Sequence, residues 1–71
     1  MDKTQIESKI LGLSYPETIL YFKSICTKEE PYCFRPIKID NIDLWIDNEK
    51  DLYRCNLIIK DNVIYKIDGW Y

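Results

Sequence analysis

The side chains of this sequence that could do chemistry are carboxylates and thiols. Acidic residues recur at Asp47, Glu49 and Asp51, inside the polar run DNEKD at 47–51. Closely spaced carboxylates can act as a general acid and base, or can bind a cation. The run lacks the turn glycine and the terminal glutamate of a calcium loop. These carboxylates therefore predict a solvated surface and no metal site.

Catalytic partners for the carboxylates are missing from the chain. It has no histidine, so the commonest general base is absent and neither a Ser–His nor a Cys–His pair can form. Its two glycines, Gly12 and Gly69, cannot form a glycine-rich phosphate loop. A chain of 71 residues also has little room for a substrate pocket of roughly 300 Å³ or more. The sequence predicts a protein that is not an enzyme and holds no cofactor.

Cys26, Cys33 and Cys55 are an odd number of thiols. Such a set is a poor disulfide framework and is typical of a reducing compartment. Without histidine it also falls short of the four ligands of a closed zinc site. We expect the three cysteines to behave as small, buried apolar residues. The alternative is a single disulfide, for example between Cys33 and Cys55. The N-terminal segment lacks the layout of a signal peptide, which favours a cytoplasmic protein.

Charge and hydropathy argue against nucleic acids and membranes as partners. The net charge is −2 and no Lys/Arg cluster occurs, which disfavours nucleic-acid binding. The longest apolar runs, such as 57–59, are far shorter than the ~20 residues that span a bilayer. A hydrophobic content of 46% predicts a compact core and a single domain over 1–71.

Two helical segments come first. Residues 3–11 predict a short helix that ends near Gly12. Ser14 and Glu17 have the spacing of a capping box, which predicts a helix over about 14–26. Residues at helical spacing form its apolar face: Tyr15, Ile19, Phe22 and Cys26. We expect this face to pack on a sheet.

After Pro31 the apolar residues follow a period of two, which predicts strands. The segment 33–40 contains Pro36 and is expected to be an edge strand or an irregular one. Alternation continues over 42–47, 55–60 and 63–68. The predicted fold is α+β, with one amphipathic helix packed on a three- or four-stranded sheet that ends in a C-terminal β-hairpin.

For this last hairpin we predict a three-residue loop over 60–62. It would pair Ile59 with Val63 and keep apolar residues on one face. A two-residue turn at Asp61-Asn62 would mix the core and solvent faces, because side chains alternate with period two.

The polar loop lies between Ile46 and Cys55, which are both expected to point into the core. The loop is then an exposed excursion between aromatic residues, which often anchor protein interfaces. The candidate partner-binding residues are Trp45, Ile46, Asp47, Asn48, Glu49, Lys50, Asp51 and Tyr53.

Two segments carry a resemblance to a known family. ILGLSYPETILYFK and LYRCNLIIKDNVIYKIDG resemble the opening and closing parts of small potato-inhibitor-I-like serine peptidase inhibitors, over roughly residues 10–69. The intervening WIDNEKD falls where that family carries its protease-binding loop. The resemblance implies an inhibitor whose loop is braced by Arg54. Its reactive bond would be Asn48–Glu49 in a gapless match, or Ile46–Asp47 if an insertion is allowed.

Two other functions stay open. A small acidic protein with exposed aromatic residues could be a phage or mobile-element product that binds and inactivates a host defence or regulatory protein. A third hypothesis is a homodimer in which Trp45, Trp70 and Tyr71 close an exposed strand edge against a copy.

Overall fold

The computed structural model describes residues 1–71 and contains two helices followed by four strands. In chain order these elements are α1 (Lys3–Ile10), α2 (Tyr15–Ile25), β1 (Cys33–Ile39), β2 (Ile42–Asp43), β3 (Arg54–Lys60) and β4 (Val63–Trp70). The sheet has the order β2-β1-β3-β4; β1 and β3 run parallel, and the other neighbours are antiparallel. The predicted α+β fold with a C-terminal hairpin is confirmed.

Helix α2 begins with a complete capping box. The Ser14 hydroxyl oxygen accepts a bond from the Glu17 amide at 3.2 Å, and the Glu17 carboxylate accepts one from the Ser14 amide at 3.1 Å. Bonding to the Ser14 backbone, and then to its side chain, holds the pKa of Glu17 below its ordinary value. This stabilisation is therefore present at neutral pH and is lost as the pH falls through that lowered pKa.

We expect Ser14→Ala to lower the free energy of unfolding by about 1 kcal/mol, because the Glu17 amide loses its acceptor. The melting temperature should fall by about 4–8 °C, measured by circular dichroism. Ser24→Ala is the matched control: the Ser24 hydroxyl only donates to the Tyr21 carbonyl near the end of the same helix. Equal losses from the two variants would contradict the capping role.

The apolar face of α2 differs from the prediction at its end. Thr18 and Phe22 are buried, but Cys26 is exposed. At Cys26 the backbone is already extended, with ψ of 124°, so its side chain no longer continues the helical face. Among the cysteines only Cys55 is buried, and burial raises the pKa of its thiol to about 12. All three thiols are free, so the alternative Cys33–Cys55 disulfide is not formed.

The turn between β3 and β4 corrects the predicted three-residue loop. Lys60 pairs with Val63 across a two-residue turn in which Asp61 and Asn62 have φ of 52° and 63°. Such a turn requires positive φ at both central residues, a conformation that Asn and Asp tolerate.

In a regular ladder this two-residue turn would mix the core and solvent faces of the hairpin. Irregularities in β4 prevent that. The turn itself pairs Ile59 with Ile64, and the register then shifts twice, so that Leu57 pairs with Ile67 and Cys55 pairs with Trp70. Ile64 opposite Ile59 is buried in the core, whereas the next residue, Tyr65, is exposed. β-Bulges insert a residue and so return the next side chain to the required face.

Strand β1 joins the sheet between β2 and β3 and is irregular, as predicted. Its register against β3 shifts between Pro36 and Lys38. Strand β2 pairs only with Lys38 and Ile39, so β1 is a sheet edge at Pro36. There the missing amide hydrogen of proline costs no ladder bond.

Strand β2 is shorter than the predicted 42–47 segment. The Leu44 amide still donates to the Ile37 carbonyl at 3.0 Å, and the chain then leaves the sheet. Ile46, which was expected to be in the core, is only half-buried.

The core lies where α1 and α2 meet the sheet. Its buried hydrophobic residues are Ile6, Ile10, Phe22, Tyr32, Cys55, Leu57, Ile59 and Ile64. Trp70 packs on this cluster, and its indole N–H donates to the Glu7 carboxylate at 2.8 Å. Trp70 therefore ties β4 to α1. Neither helix is long and apolar enough to cross a membrane.

Candidate functional site

The segment 45–53, here called the loop, connects β2 to β3 without regular structure. Main-chain bonding stops with Leu44, which donates to Ile37, and resumes where the Arg54 amide donates to the Asp51 carbonyl at 3.1 Å. No main-chain to main-chain hydrogen bond involves residues 45–50. The loop is therefore held in place by side chains.

Arg54 lies beneath the loop at the start of β3. Its Nη2 donates to the main-chain oxygen of Glu49 at 2.7 Å and to that of Tyr71 at 3.0 Å. The Arg54 side chain is largely covered. Charge-assisted bonds of this kind are stronger than neutral ones. They connect the middle of the loop to Tyr71, the residue that follows β4.

Arg35 on β1 braces the loop from the neighbouring strand. Its Nη1 lies 3.5 Å from the Asp47 carboxylate, which is also 4.0 Å from Nη2 of Arg54. Nη2 of Arg35 donates to the main-chain oxygen of Tyr71 at 3.1 Å. Because β1 and β3 are parallel neighbours, two guanidinium groups meet at the same end of the sheet.

Asn56 lies below the loop and shares the main-chain oxygen of Tyr71 with both arginines. It is completely buried and accepts a bond from Arg35 Nε at 2.7 Å. Its side-chain amide donates to the main-chain oxygens of Gly69 and Tyr71 at 3.2 and 3.3 Å. A buried polar group needs such partners, and both the oxygen and the nitrogen of the Asn56 side-chain amide have them.

Sequence reasoning missed Arg35 and Asn56 as loop supports. The available signal was Asn56 itself, a polar residue within the apolar strand 55–59. Asparagine is rarely buried without a hydrogen-bonding role. Tyr71 was predicted at an interface, but it is half-buried and its main-chain oxygen accepts bonds from this network.

Two acidic residues of the loop are engaged within it. An Asp47 carboxylate oxygen accepts from the Glu49 amide at 3.1 Å, and one from Asp51 accepts from the Tyr53 amide at 2.9 Å. These are local turns in which a side chain replaces a main-chain acceptor. The carboxylates of Asp47 and Asp51 thus help to shape the loop.

The outer surface of the loop is partly apolar. Trp45 is 87% exposed and Leu52 is 69% exposed, and the polar stretch 48–50 lies between them. Tyr53 is half-buried, and its ring packs on Tyr32 with centroids 5.2 Å apart. The structure therefore divides the predicted set: Trp45 and 48–50 face outward, whereas Tyr53 and the two aspartates contact the protein itself. Leu52 is an outward residue that sequence reasoning did not include.

Comparisons of the chain with protein-family models, curated proteins and solved structures find no match.

Proposed function

We propose that this chain is a non-enzymatic inhibitor that blocks a protein partner with the loop, and that the partner is a serine protease. The observation that carries the proposal is the 2.7 Å bond from Arg54 to the main-chain oxygen of Glu49. It holds the middle of the loop from below, and residues 45–50 make no main-chain to main-chain hydrogen bond; within this stretch the main chain of Glu49 is bonded to side chains.

A loop in this state is suited to a cleft that binds extended chain. Main-chain groups without internal partners can pair with an extended partner segment, as in β-strand addition. Because the loop is already ordered by Arg35 and Arg54, less conformational entropy is lost on binding. The contacts of Arg35 and Arg54 would also keep the two sides of the loop together if a protease cut one peptide bond between them.

The exposed side chains supply specificity. Trp45 and Leu52 offer apolar contacts at the two ends of the loop, and tryptophan is enriched among interface residues that dominate binding. The Arg54 contact at Glu49 favours Asn48–Glu49 over Ile46–Asp47 as the bond held in the cleft. The free thiols suit a reducing compartment, so we place this function in the cytoplasm.

The proposal is tested with a panel of serine proteases whose primary specificity pockets are apolar, acidic or small. We expect inhibition of at least one, with slow cleavage at a single bond between Ile46 and Lys50 mapped by mass spectrometry. Leu52→Ala should weaken that inhibition about tenfold, a change of about 1.4 kcal/mol. Leu20→Ala is the matched control because Leu20, on α2, is 66% exposed and lies outside the loop.

An unaffected panel would remove the protease from the proposal. Affinity capture would then test the broader function: one dominant protein should bind the natural chain and the Leu20→Ala variant, and bind Leu52→Ala less well. Recovery of no such protein would reject the loop as a binding surface.

A further inference from the structure

Two of the three thiols, those of Cys26 and Cys33, open onto one surface cavity. The cavity lies between α2 and β1 and has a volume of about 290 Å³. Its walls are otherwise mainly apolar and include the rings of Phe22 and Phe34. Cys26 is exposed and Cys33 is half-buried, so a small reagent dissolved in water can reach both thiols through this cavity.

The turn that joins α2 to β1 brings the two cysteines towards each other. Cys26 follows α2, and Cys33 begins β1. Between them the amides of Thr27 and Tyr32 both donate to the main-chain oxygen of Glu30, at 3.0 and 2.8 Å. Those two nitrogens are therefore no farther apart than these two distances combined, whereas an extended chain over the same five steps would span roughly 17 Å.

The third thiol, that of Cys55, is set apart from this pair. Cys55 is completely buried on β3 and does not line the cavity. Burial raises the pKa of its thiol to about 12, so almost none of it is thiolate at neutral pH. Because the thiolate is the reactive form, oxidation of the folded chain falls to the two accessible thiols.

We infer that Cys26 and Cys33 are a redox pair that a peroxide converts into a disulfide. The Cys26 thiolate attacks a peroxide oxygen: an S–O bond forms, the O–O bond breaks, and the leaving hydroxide takes up the proton that the thiol released. The Cys33 thiolate then attacks the Cys26 sulfur: the S–S bond forms, the S–O bond breaks, and a second water leaves. The two thiols lose two electrons, and these reduce the peroxide.

Exposure sets the order of these two steps. Burial, and after it the charge of Asp51, raises the pKa of the Cys33 thiol above its ordinary value. Cys26 is the more exposed of the two and is therefore the first to meet the oxidant. An accessible thiol beside a resolving thiol is the usual arrangement of a redox sensor, and in a reducing compartment such a disulfide is transient. Neither thiol belongs to the loop, so this chemistry is independent of the proposed inhibition.

Peptide mapping of the full chain after treatment with hydrogen peroxide tests the inference. The chain should lose two hydrogen atoms, stay monomeric and regain its original mass with dithiothreitol. Trypsin cuts after Lys28, between the two cysteines, so the disulfide should join peptides 24–28 and 29–38. Peptide 55–60, which contains Cys55, should remain free.

Two variants separate the roles of the thiols. Cys26→Ser should form no disulfide and leave Cys33 largely unoxidised. Cys33→Ser should accumulate the Cys26 sulfenic acid, which dimedone traps, at least tenfold above the natural chain, because the resolving thiol is missing. Neither thiol belongs to the buried core, so both variants should keep the circular dichroism spectrum of the natural chain.

The melting temperature of the oxidised chain tests whether the fold accommodates the bond. A disulfide requires Cα atoms roughly 4.4–6.8 Å apart and stabilises a fold that already offers this separation. We expect the oxidised chain to melt at least about 4 °C above the reduced one. The inference is overturned by an unchanged or lower melting temperature, by a bond to Cys55, by a disulfide between two chains as the main product, or by equal dimedone labelling of the natural chain and Cys33→Ser.

Discussion

Asn56→Ala should lower the free energy of unfolding by about 3 kcal/mol. The alanine removes the acceptor of the 2.7 Å bond from Arg35 and the donor to the main-chain oxygens of Gly69 and Tyr71. Asn56 is completely buried, so water cannot easily replace these partners. Leaving a buried group unpaired costs its full desolvation, and the cost is higher when that group is charged.

This loss is large for a domain of 71 residues, whose total stability is on the order of 4–10 kcal/mol. Urea denaturation followed by tryptophan fluorescence measures it. Asn48→Ala is the matched control, since Asn48 is exposed in the loop and should change stability by less than about 0.5 kcal/mol. A loss below about 1 kcal/mol for Asn56→Ala would show that the buried network contributes little.

Arg54→Ala should release the loop while leaving most of the fold intact. The substitution removes the charge-assisted bonds to the main-chain oxygens of Glu49 and Tyr71. Such bonds contribute about 1.5–3 kcal/mol, which corresponds to a change of roughly 10–100-fold in the population of an opened loop. Cleavage within 46–53 by a non-specific protease should accelerate by that factor, and any inhibition by the loop should weaken by a similar factor.

The cleavage rate and the cut positions are measured by mass spectrometry over time. Arg54→Lys should recover only part of the protection, because lysine has one nitrogen and lacks the Nε that also donates to the main-chain oxygen of Tyr71 at 3.3 Å. Lys50→Ala removes a positive charge from the exposed surface of the same loop and should have little effect. An unchanged cleavage rate for Arg54→Ala would mean that other contacts order the loop.

The helices illustrate how much local sequence can predict. The capping box of α2 involves residues only three apart, and its apolar period repeats within the helix itself. The predicted bounds of 14–26 therefore agree closely with Tyr15–Ile25. Cys26 failed as a core residue because its burial depended on the direction of the chain after the helix.

The C-terminal hairpin shows where local reasoning stops. Matching apolar faces in a regular ladder predicts the three-residue loop, and this prediction is wrong. The protein uses the two-residue turn and restores the faces with shifts in β4. Bulges depend on both paired strands and on the helices beneath them, so no residue near the turn reveals them.

The sequence by itself determined the fold class, helix α2 and the position of the exposed loop, because these depend on capping, periodicity and a local polar run. Only the tertiary structure decided the roles within the loop. Parallel pairing of β1 and β3 brings Arg35 next to Arg54 and Asn56, residues distant in sequence, and directs them beneath Asp47 and Glu49. That pairing turns Asp47 towards the protein while Trp45 and Leu52 stay exposed, because a side chain's partners are set by which strands are neighbours.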